Sequence, residues 1–507
     1  MTRARRAILV ALAILIFACP AIAVTRTIAT TDRIAFGDWT YDAMISLAAD
    51  GLVPGYAARV FEGDRLFDRM QMAEVVASVI DAAKSETLRQ SQAALIEHLV
   101  QNFQPELDRL GSSAVEDWTS IAAKYNTGPR ITFPAGYVRA TGRINSEGNS
   151  DVVIPYRVSV FSNLSKGSFA LITAARAEDG FFHQLRSVPT PDKALLQGYG
   201  RNLEWSVGRS YQNWGPAYGG SLILSDNSIS FWQGRIATDV DLGKIFGKFK
   251  ITQFASVFED DKTLYLFGRR YQKRISPRWN WGISETVLMN KAPNPAILVL
   301  PFYAYQHLFG GPGSDVDKSM NALYGTDLTY RTTGGTEYYG EFMVDDMTAP
   351  SFVSAGFDRP RKTGFTLGVY LPKVIKADPR SSFRAEYISV DRLTYEATRP
   401  EESPELAYIH NRAFIGSPVG PNAKAIYLRG ERYLSDQWSL IGEYFNQRQT
   451  AAGPPEPPVT SAISLMAAYD IAPDKSVALR VSPFKTTLPG DTSQSGVKYD
   501  LRASFAY

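Results

Sequence analysis

Residues 208–227 read GRSYQNWGPAYGGSLILSDN and stand apart from the rest of the chain. Tyr211, Trp214 and Tyr218 alternate with the flexible Gly215, Gly219 and Gly220, and Asp226-Asn227 close the segment. Aromatic faces beside amides and carboxylates suit stacking on sugar rings with hydrogen bonds at the rim, a noncovalent chemistry. The same composition also describes a strand end with boundary aromatics and a tight turn. A second candidate is Glu341 with Asp345 and Asp346, which could be read as an acid/base pair or a cation site. Strand alternation sends Glu341 and Asp345 to one face and Asp346 to the other, which favours interior or loop charges. The four histidines (His98, His183, His307, His410) sit beside no recognisable nucleophile motif, and no metal or phosphate motif appears. The residues therefore point to binding without turnover, with no catalytic residue, no cofactor and no metal.

The elements that must position these residues have a period of two. From Tyr137 onward the chain offers segments of alternating polarity separated by Gly, Pro, Asn, Asp and Ser. Examples are 152–161, 168–175, 203–209, 248–258, 263–271, 338–344, 363–371, 383–390, 425–433, 438–445 and 461–469. The last segment is the clearest: Val497, Tyr499, Leu501, Ala503, Phe505 and Tyr507 share one face, and Lys498, Asp500, Arg502 and Ser504 the other. An apolar side against a polar one suits a strand with lipid outside and a wet interior. At roughly 20–22 residues per strand and turn, residues 135–507 predict a transmembrane antiparallel β-barrel of about 16–18 strands, 18 being preferred as the even number nearest the candidate segments.

Composition is compatible with this and excludes several alternatives. The 507 residues carry 54 Lys+Arg against 51 Asp+Glu, a formal net charge of +3, which leaves no footprint for nucleic acid. A hydrophobic fraction of 45% without long apolar runs excludes a bundle of transmembrane helices. A single cysteine excludes a disulfide scaffold. Residues 1–23 read as a secretory signal peptide: Arg3, Arg5 and Arg6, then the apolar stretch from Ala7 to Ala18, then the small pair Ala21 and Ala23. Cleavage after Ala23 is preferred over a lipoprotein site at Cys19, where Phe17 and Pro20 fit badly. It would remove the cysteine and the basic excess together.

Before the barrel, residues 24–111 read as a helical module. A short helix from about Trp39 to Asp50 is closed by Gly51 as a left-handed cap. A second helix carries Met72, Val75, Val76, Val79 and Ala83 on one face. Residues 86–110 continue as a helix with Leu88, Leu95, Leu99, Phe103, Leu107 and Leu110 along an apolar edge, interrupted or kinked at Pro105. Residues 112–134 read as a linker. Phe36-x-Asp38-Trp39, Gly51-Leu52-Val53-x-Gly55-Tyr56, Phe61-x-Gly63, and Arg69 with Glu74 resemble an S-layer homology (SLH) motif. The resemblance implies a periplasmic tether to peptidoglycan or a secondary cell-wall polymer. Trp39 and Arg69 are its candidate cell-wall-binding residues, Trp39 doubling as core and Arg69 as an ion-pair partner. A homo-oligomer built through 86–110 stays open, because SLH modules often act in threes.

Within the barrel, Trp214-Gly215-Pro216 followed by Ser221-Leu222-x-Leu224-Ser225-Asp226-Asn227 resembles the Wzi-type capsule-assembly outer-membrane family. Further points agree in order: Arg274-Ile275-Ser276-Pro277 into Trp281-Gly282-Ile283-Ser284-Glu285, then Tyr339-Gly340-Glu341-Phe342, then His410, Gly416 and Gly420-Pro421-Asn422. The resemblance implies an 18-stranded barrel in the cell outer membrane, surrounded by outer-membrane lipid, that holds capsular or other surface polysaccharide. Tyr211, Trp214, Tyr218, Asp226 and Asn227 are its candidate contacts. An SLH-tethered diffusion porin is the alternative, and an open or plugged interior separates the two.

Overall fold

The computed structural model describes residues between 34 and 505, the longest omitted runs being 1–33, 176–192, 346–361 and 450–458. The signal peptide, Asp68, much of the Gly55–Gly63 part of the SLH resemblance, His183 and Tyr507 lie outside the described residues.

Among the described residues four helices come first: α1 (Trp39–Ala49), α2 (Arg69–Ala83), α3 (Gln90–Leu110) and α4 (Ala114–Ala122). Gly51 caps the first with φ +79°. Met72, Val75, Val76, Val79 and Ala83 are all buried, as their 3–4 spacing requires. The apolar edge of α3 is spent inside the module, where Leu95, Leu99, Phe103 and Leu107 join one core with α1 and α2. The helix runs through Pro105 without interruption. Packing of Phe103 and Leu107 on either side offsets the roughly 3 kcal/mol that an interior proline costs. α4 falls inside the segment read as linker, and its Trp118 and Ile121 extend the helical core. Its apolar positions were legible, but they are too few to register as a helix without the partners they pack against.

The remainder is β-structure. Four short strands, β1 (Ile131–Thr132), β2 (Tyr137–Val138), β3 (Thr141–Ile144) and β4 (Ser150–Val153), precede the long ones. The long strands begin with β5 (Tyr156–Leu164), β6 (Gly167–Ala175), β7 (Lys193–Gly200), β8 (Leu203–Ser210), β9 (Phe231–Asp241) and β10 (Lys248–Glu259). They continue as β11 (Thr263–Ser276), β12 (Trp279–Met289), β13 (Met320–Arg331), β14 (Glu337–Asp345), β15 (Thr363–Pro372) and β16 (Ser381–Val390). After the small hairpin β17 (Ile409–His410) and β18 (Ala413–Phe414) come β19 (Ala423–Tyr433), β20 (Trp438–Gln449), β21 (Val459–Ala472), β22 (Lys475–Thr487) and β23 (Ser493–Phe505).

Each long strand pairs antiparallel with the next, so β5–β16 and β19–β23 form a continuous antiparallel sheet of 17 strands. This lies within the 16–18 expected and one short of the preferred 18. Among the described residues no single strand joins the two ends: β1 and β2 pair with β5, whereas β3 pairs with β23. The sheet is therefore not closed into a barrel by any one element.

Side chains alternate, but in the reverse of the usual sense. In β14, Glu337, Glu341 and Asp345 are buried while Tyr338 and Phe342 are exposed. Glu341 and Asp345 do share one face, as alternation requires. The polar side is concave and wraps loop residues, while the convex side carries exposed Ile283, Leu328, Phe365, Leu367, Ile463, Leu465, Leu479 and Leu501.

Candidate functional site in the sheet interior

Two loops fold into the concave face. One joins β8 to β9 and the other joins β16 to β19; both leave the sheet at the same end. In the first, Trp214 N–H donates to the Leu224 carbonyl (3.0 Å), pinching residues 214–224 into a narrow loop. Two carboxylates from distant strands hold its tip. Glu341 on β14 accepts from the N–H groups of Ala217 (2.9 Å) and Leu222 (2.8 Å). Glu386 on β16 accepts from Tyr218 N–H and from Gly219 N–H (2.9 Å). A glycine is required at 215: its φ is +143°, and a Cβ there would stand 2.1 Å from the Glu341 carboxylate.

The ring of Tyr218 lies among cations and aromatics. It stacks on Tyr427 of β19 (5.9 Å between centroids), and the Arg384 guanidinium sits 4.7 Å from its centre. Arg384 also lies 4.6 Å from the Tyr370 ring and donates to Tyr339 Oη (2.9 Å), which in turn donates to Glu386 (2.6 Å). On the other side, Tyr427 Oη and Arg429 Nη1 both donate to Glu443 Oε1 (2.6 and 3.0 Å). Each buried charge has an opposite charge or a hydrogen-bond partner, the condition under which a low-dielectric interior tolerates it.

The second loop seals the first. Tyr395, at φ +69°, receives the Asp345 carboxylate on its backbone N–H (2.7 Å), and its hydroxyl donates to the Leu222 carbonyl. Ser225 and Asn227 bond to the backbone of Ile415, Gly416 and Phe414. Tyr408 Oη donates to Thr286 on β12 (3.0 Å). Burial pushes the phenols of Tyr395 and Tyr408 well above their ordinary value, so both stay neutral donors. The apolar parts of both loops (Trp214, Leu222, Ile223, Leu224, Tyr395, Tyr408, Ile415, Val419) share one core with the inward Phe254, Leu266, Leu288, Leu323 and Met343. His410 belongs to this packing, stacked on Phe258 at 4.2 Å.

The five sequence-derived glycan candidates thus occupy one loop in unequal positions. Trp214, Asp226 and Asn227 are buried, Trp214 with its edge against Phe254 (5.3 Å). Tyr211 and Tyr218 keep part of their surface exposed. The residues that anchor the loop (Glu386, Arg384, Tyr395, Arg429, Glu443) were not singled out from the sequence. For the four on strands the signal available was a polar side chain at an inward position, whereas Tyr395 lies in the loop between β16 and β19.

In the helical module, Trp39 is buried and stacks on His98 (4.1 Å). Burial pushes the His98 imidazole down to about 4. Arg69 pairs with the fully buried Glu106 (2.9 Å), donates to the Asn102 carbonyl and lies 4.6 Å from the Phe103 ring. Both side chains are engaged within the fold. Among the described residues no cluster of His, Cys, Asp and Glu could hold a metal, and no helix is long and apolar enough to cross a membrane.

A large antiparallel sheet with a polar, loop-filled concave face and an apolar convex one defines a protein of the outer-membrane β-barrel fold. Residues 158–487 match the family model of the capsule assembly protein Wzi, and the chain belongs to that family. Its fold resembles that of Escherichia coli Wzi, an outer-membrane protein involved in group 1 capsule assembly and described as a carbohydrate-binding β-barrel. That likeness has TM-score 0.52 and 14% identity, covering 94% of this chain and 100% of that one. A looser likeness links it to Pseudomonas aeruginosa OccK10 (OpdN), with TM-score 0.44, 10% identity, and 74% of this chain and 98% of that one covered. No curated protein matches in sequence.

Proposed function

We propose that this protein is an outer-membrane β-barrel that binds capsular or other surface polysaccharide noncovalently, without turnover. One observation carries the reading against a diffusion porin: two loops tied to Glu341, Glu386 and Asp345 occupy the interior through which solutes would have to pass. The family and the carbohydrate-binding description of E. coli Wzi supply the ligand class. Tyr211 and Tyr218 keep surface that a sugar ring can reach. Trp214, Asp226 and Asn227 act by shaping the loop that presents them.

Placement in the membrane follows from the convex face. At the turn end of the strands, Trp279, Tyr330 and Tyr338 form a row of neighbouring rings, and Trp438 lies against Tyr469 at a tilt (4.8 Å between centroids), as in an interfacial girdle. β1 and β2 run antiparallel to β5 and β3 runs antiparallel to β23, so these short strands border the gap that an eighteenth strand would fill. The helical module lies on the periplasmic side and tethers the barrel to peptidoglycan or a secondary cell-wall polymer. This rests on the SLH resemblance, with Trp39 and Arg69 holding the module's shape rather than offering free surface.

Capsular polysaccharide binding to cells displaying the protein tests the main reading, with single-channel conductance measured on the same preparation. Glycan retention with a closed channel is expected. An open channel without glycan binding would establish the porin instead. Loss of co-sedimentation with peptidoglycan after deletion of residues 24–111 is expected from the tether, and unchanged co-sedimentation would remove it.

A further inference from the structure

The convex face is not apolar everywhere. On β10, β11 and β12, Gln253, Arg269 and Glu285 lie in the outward register, opposite in sense to the inward Phe254, Arg270 and Ser284. Arg269 and Glu285 form an ion pair of 3.1 Å, yet both are buried. What covers them is the segment between β12 and β13, which turns back over the outside of the sheet. It contains a short 3-10 turn (Pro295–Leu298) and α5 (Phe302–Phe309).

Its backbone saturates the polar patch. Arg269 donates to the carbonyls of Leu300 (2.8 Å) and Ile297 (3.3 Å), Gln253 donates to Leu298 (2.6 Å), and Phe302 N–H donates to Glu285 (3.0 Å). Ile297, Phe302 and Tyr305 seat the strap on Tyr265, Phe267, Val287 and Met289. The side turned away from the sheet is apolar as well: Val299 is 79% exposed, Leu308 69% and Phe309 43%.

We propose that this strap is a lipid-facing element, which covers the outer face of β10–β13 and presents Val299, Leu308 and Phe309 to the acyl chains of the outer membrane. The inference rests on the membrane-spanning reading above. Glu285 is six residues from Trp279 on β12. At about 3.4 Å per residue, with strands tilted by about 35–45°, this places the ion pair roughly 15 Å above the turn-end girdle, within a band about 25 Å tall. Bare charges at that height would meet hydrocarbon, whereas under the strap they meet only backbone partners. The strap's exposed side chains then continue the apolar belt of Ile283 and Leu328 on the neighbouring wall.

The test uses the full chain in a Cys19→Ser background with single cysteines introduced as Leu308→Cys, as Leu465→Cys on the uncovered convex face, and as Lys84→Cys on the exposed side of the helical module. Each variant is labelled with an environment-sensitive fluorophore and reconstituted in phosphatidylcholine vesicles with or without acyl-chain-brominated lipid. The expected result is quenching at 308 of about half or more of that at 465, with none at 84. Quenching at 465 but not at 308 overturns the strap proposal and leaves the barrel reading standing. No quenching at either position overturns both. Proximity between labels at 308 on two copies, without lipid quenching, assigns the strap to a contact between copies instead.

Discussion

The helical module and the sheet bury residues of opposite character. In the module the core is Met44, Leu47, Met72, Val76, Leu99 and Phe103, and its charged members among the described residues are Asp42 and the Arg69–Glu106 pair. Inside the sheet the buried set includes Glu341, Glu386, Arg384, Arg429, Glu443 and Asp345 beside the inward Phe254, Leu266, Leu288, Leu323 and Met343, while a second set of large apolar side chains points outward. The module minimises apolar contact with water. The sheet has a second apolar surface that makes sense only against lipid, and its interior can be polar because two loops and paired charges satisfy it. Burial alone therefore does not identify a core; the solvent on each side does.

The contrast can be broken at its apolar pole first. Phe103→Ala, opening a cavity under Arg69, is expected to destabilise the module by about 3–5 kcal/mol while leaving the sheet intact. Urea melts followed by helical and by β-sheet signals on the same sample read the two parts separately. Leu465→Arg on the convex face is expected to cost about 2–4 kcal/mol when the protein is folded into vesicles. A cost near zero in that assay would mean that this face does not meet hydrocarbon.

Titration sharpens the comparison next. His98 is buried neutral, its imidazole pushed down to about 4 from 6.5. The unfolded chain therefore binds more protons between these values, and the module loses stability as pH falls from about 6.5 to about 4. The loss amounts to about 3 kcal/mol. Hydrogen exchange of α3 across this range should show the loss, and His98→Phe should flatten it. The smallest expected effect is Glu341→Gln. It keeps the shape but removes the charge that receives the Ala217 and Leu222 N–H groups, loosening the loop by about 1–3 kcal/mol. A rise in channel conductance with the barrel otherwise folded is the expected readout. Unchanged conductance would mean that Glu386 and Tyr395 hold the loop without it.

Much of this was legible before any coordinates. Apart from 152–161, which is shared between β4 and β5, the period-two segments named lie on single strands, the 3–4 spacing of Met72 to Ala83 marks a buried helix face, and Gly51 caps where it should. These are local properties, set by backbone geometry and by which side of an element is apolar. Glu341 and Asp345 could also be assigned to one face, because alternation needs only the strand itself.

Tertiary structure alone decided what those faces meet. Glu341 receives N–H groups from residues 119 and 124 positions away, and Tyr395 reaches Leu222 across 173. No local pattern encodes such pairings, since they depend on how far the sheet curves and on which loops turn inward. The run around 295–309 was not singled out from the sequence, and only the fold shows its underside closing over Arg269 and Glu285. Sequence set the period and polarity of each element, because these arise within a few residues. The identity of the medium on each side of the sheet, and with it the role of every buried charge, arose from chain segments that meet only after folding.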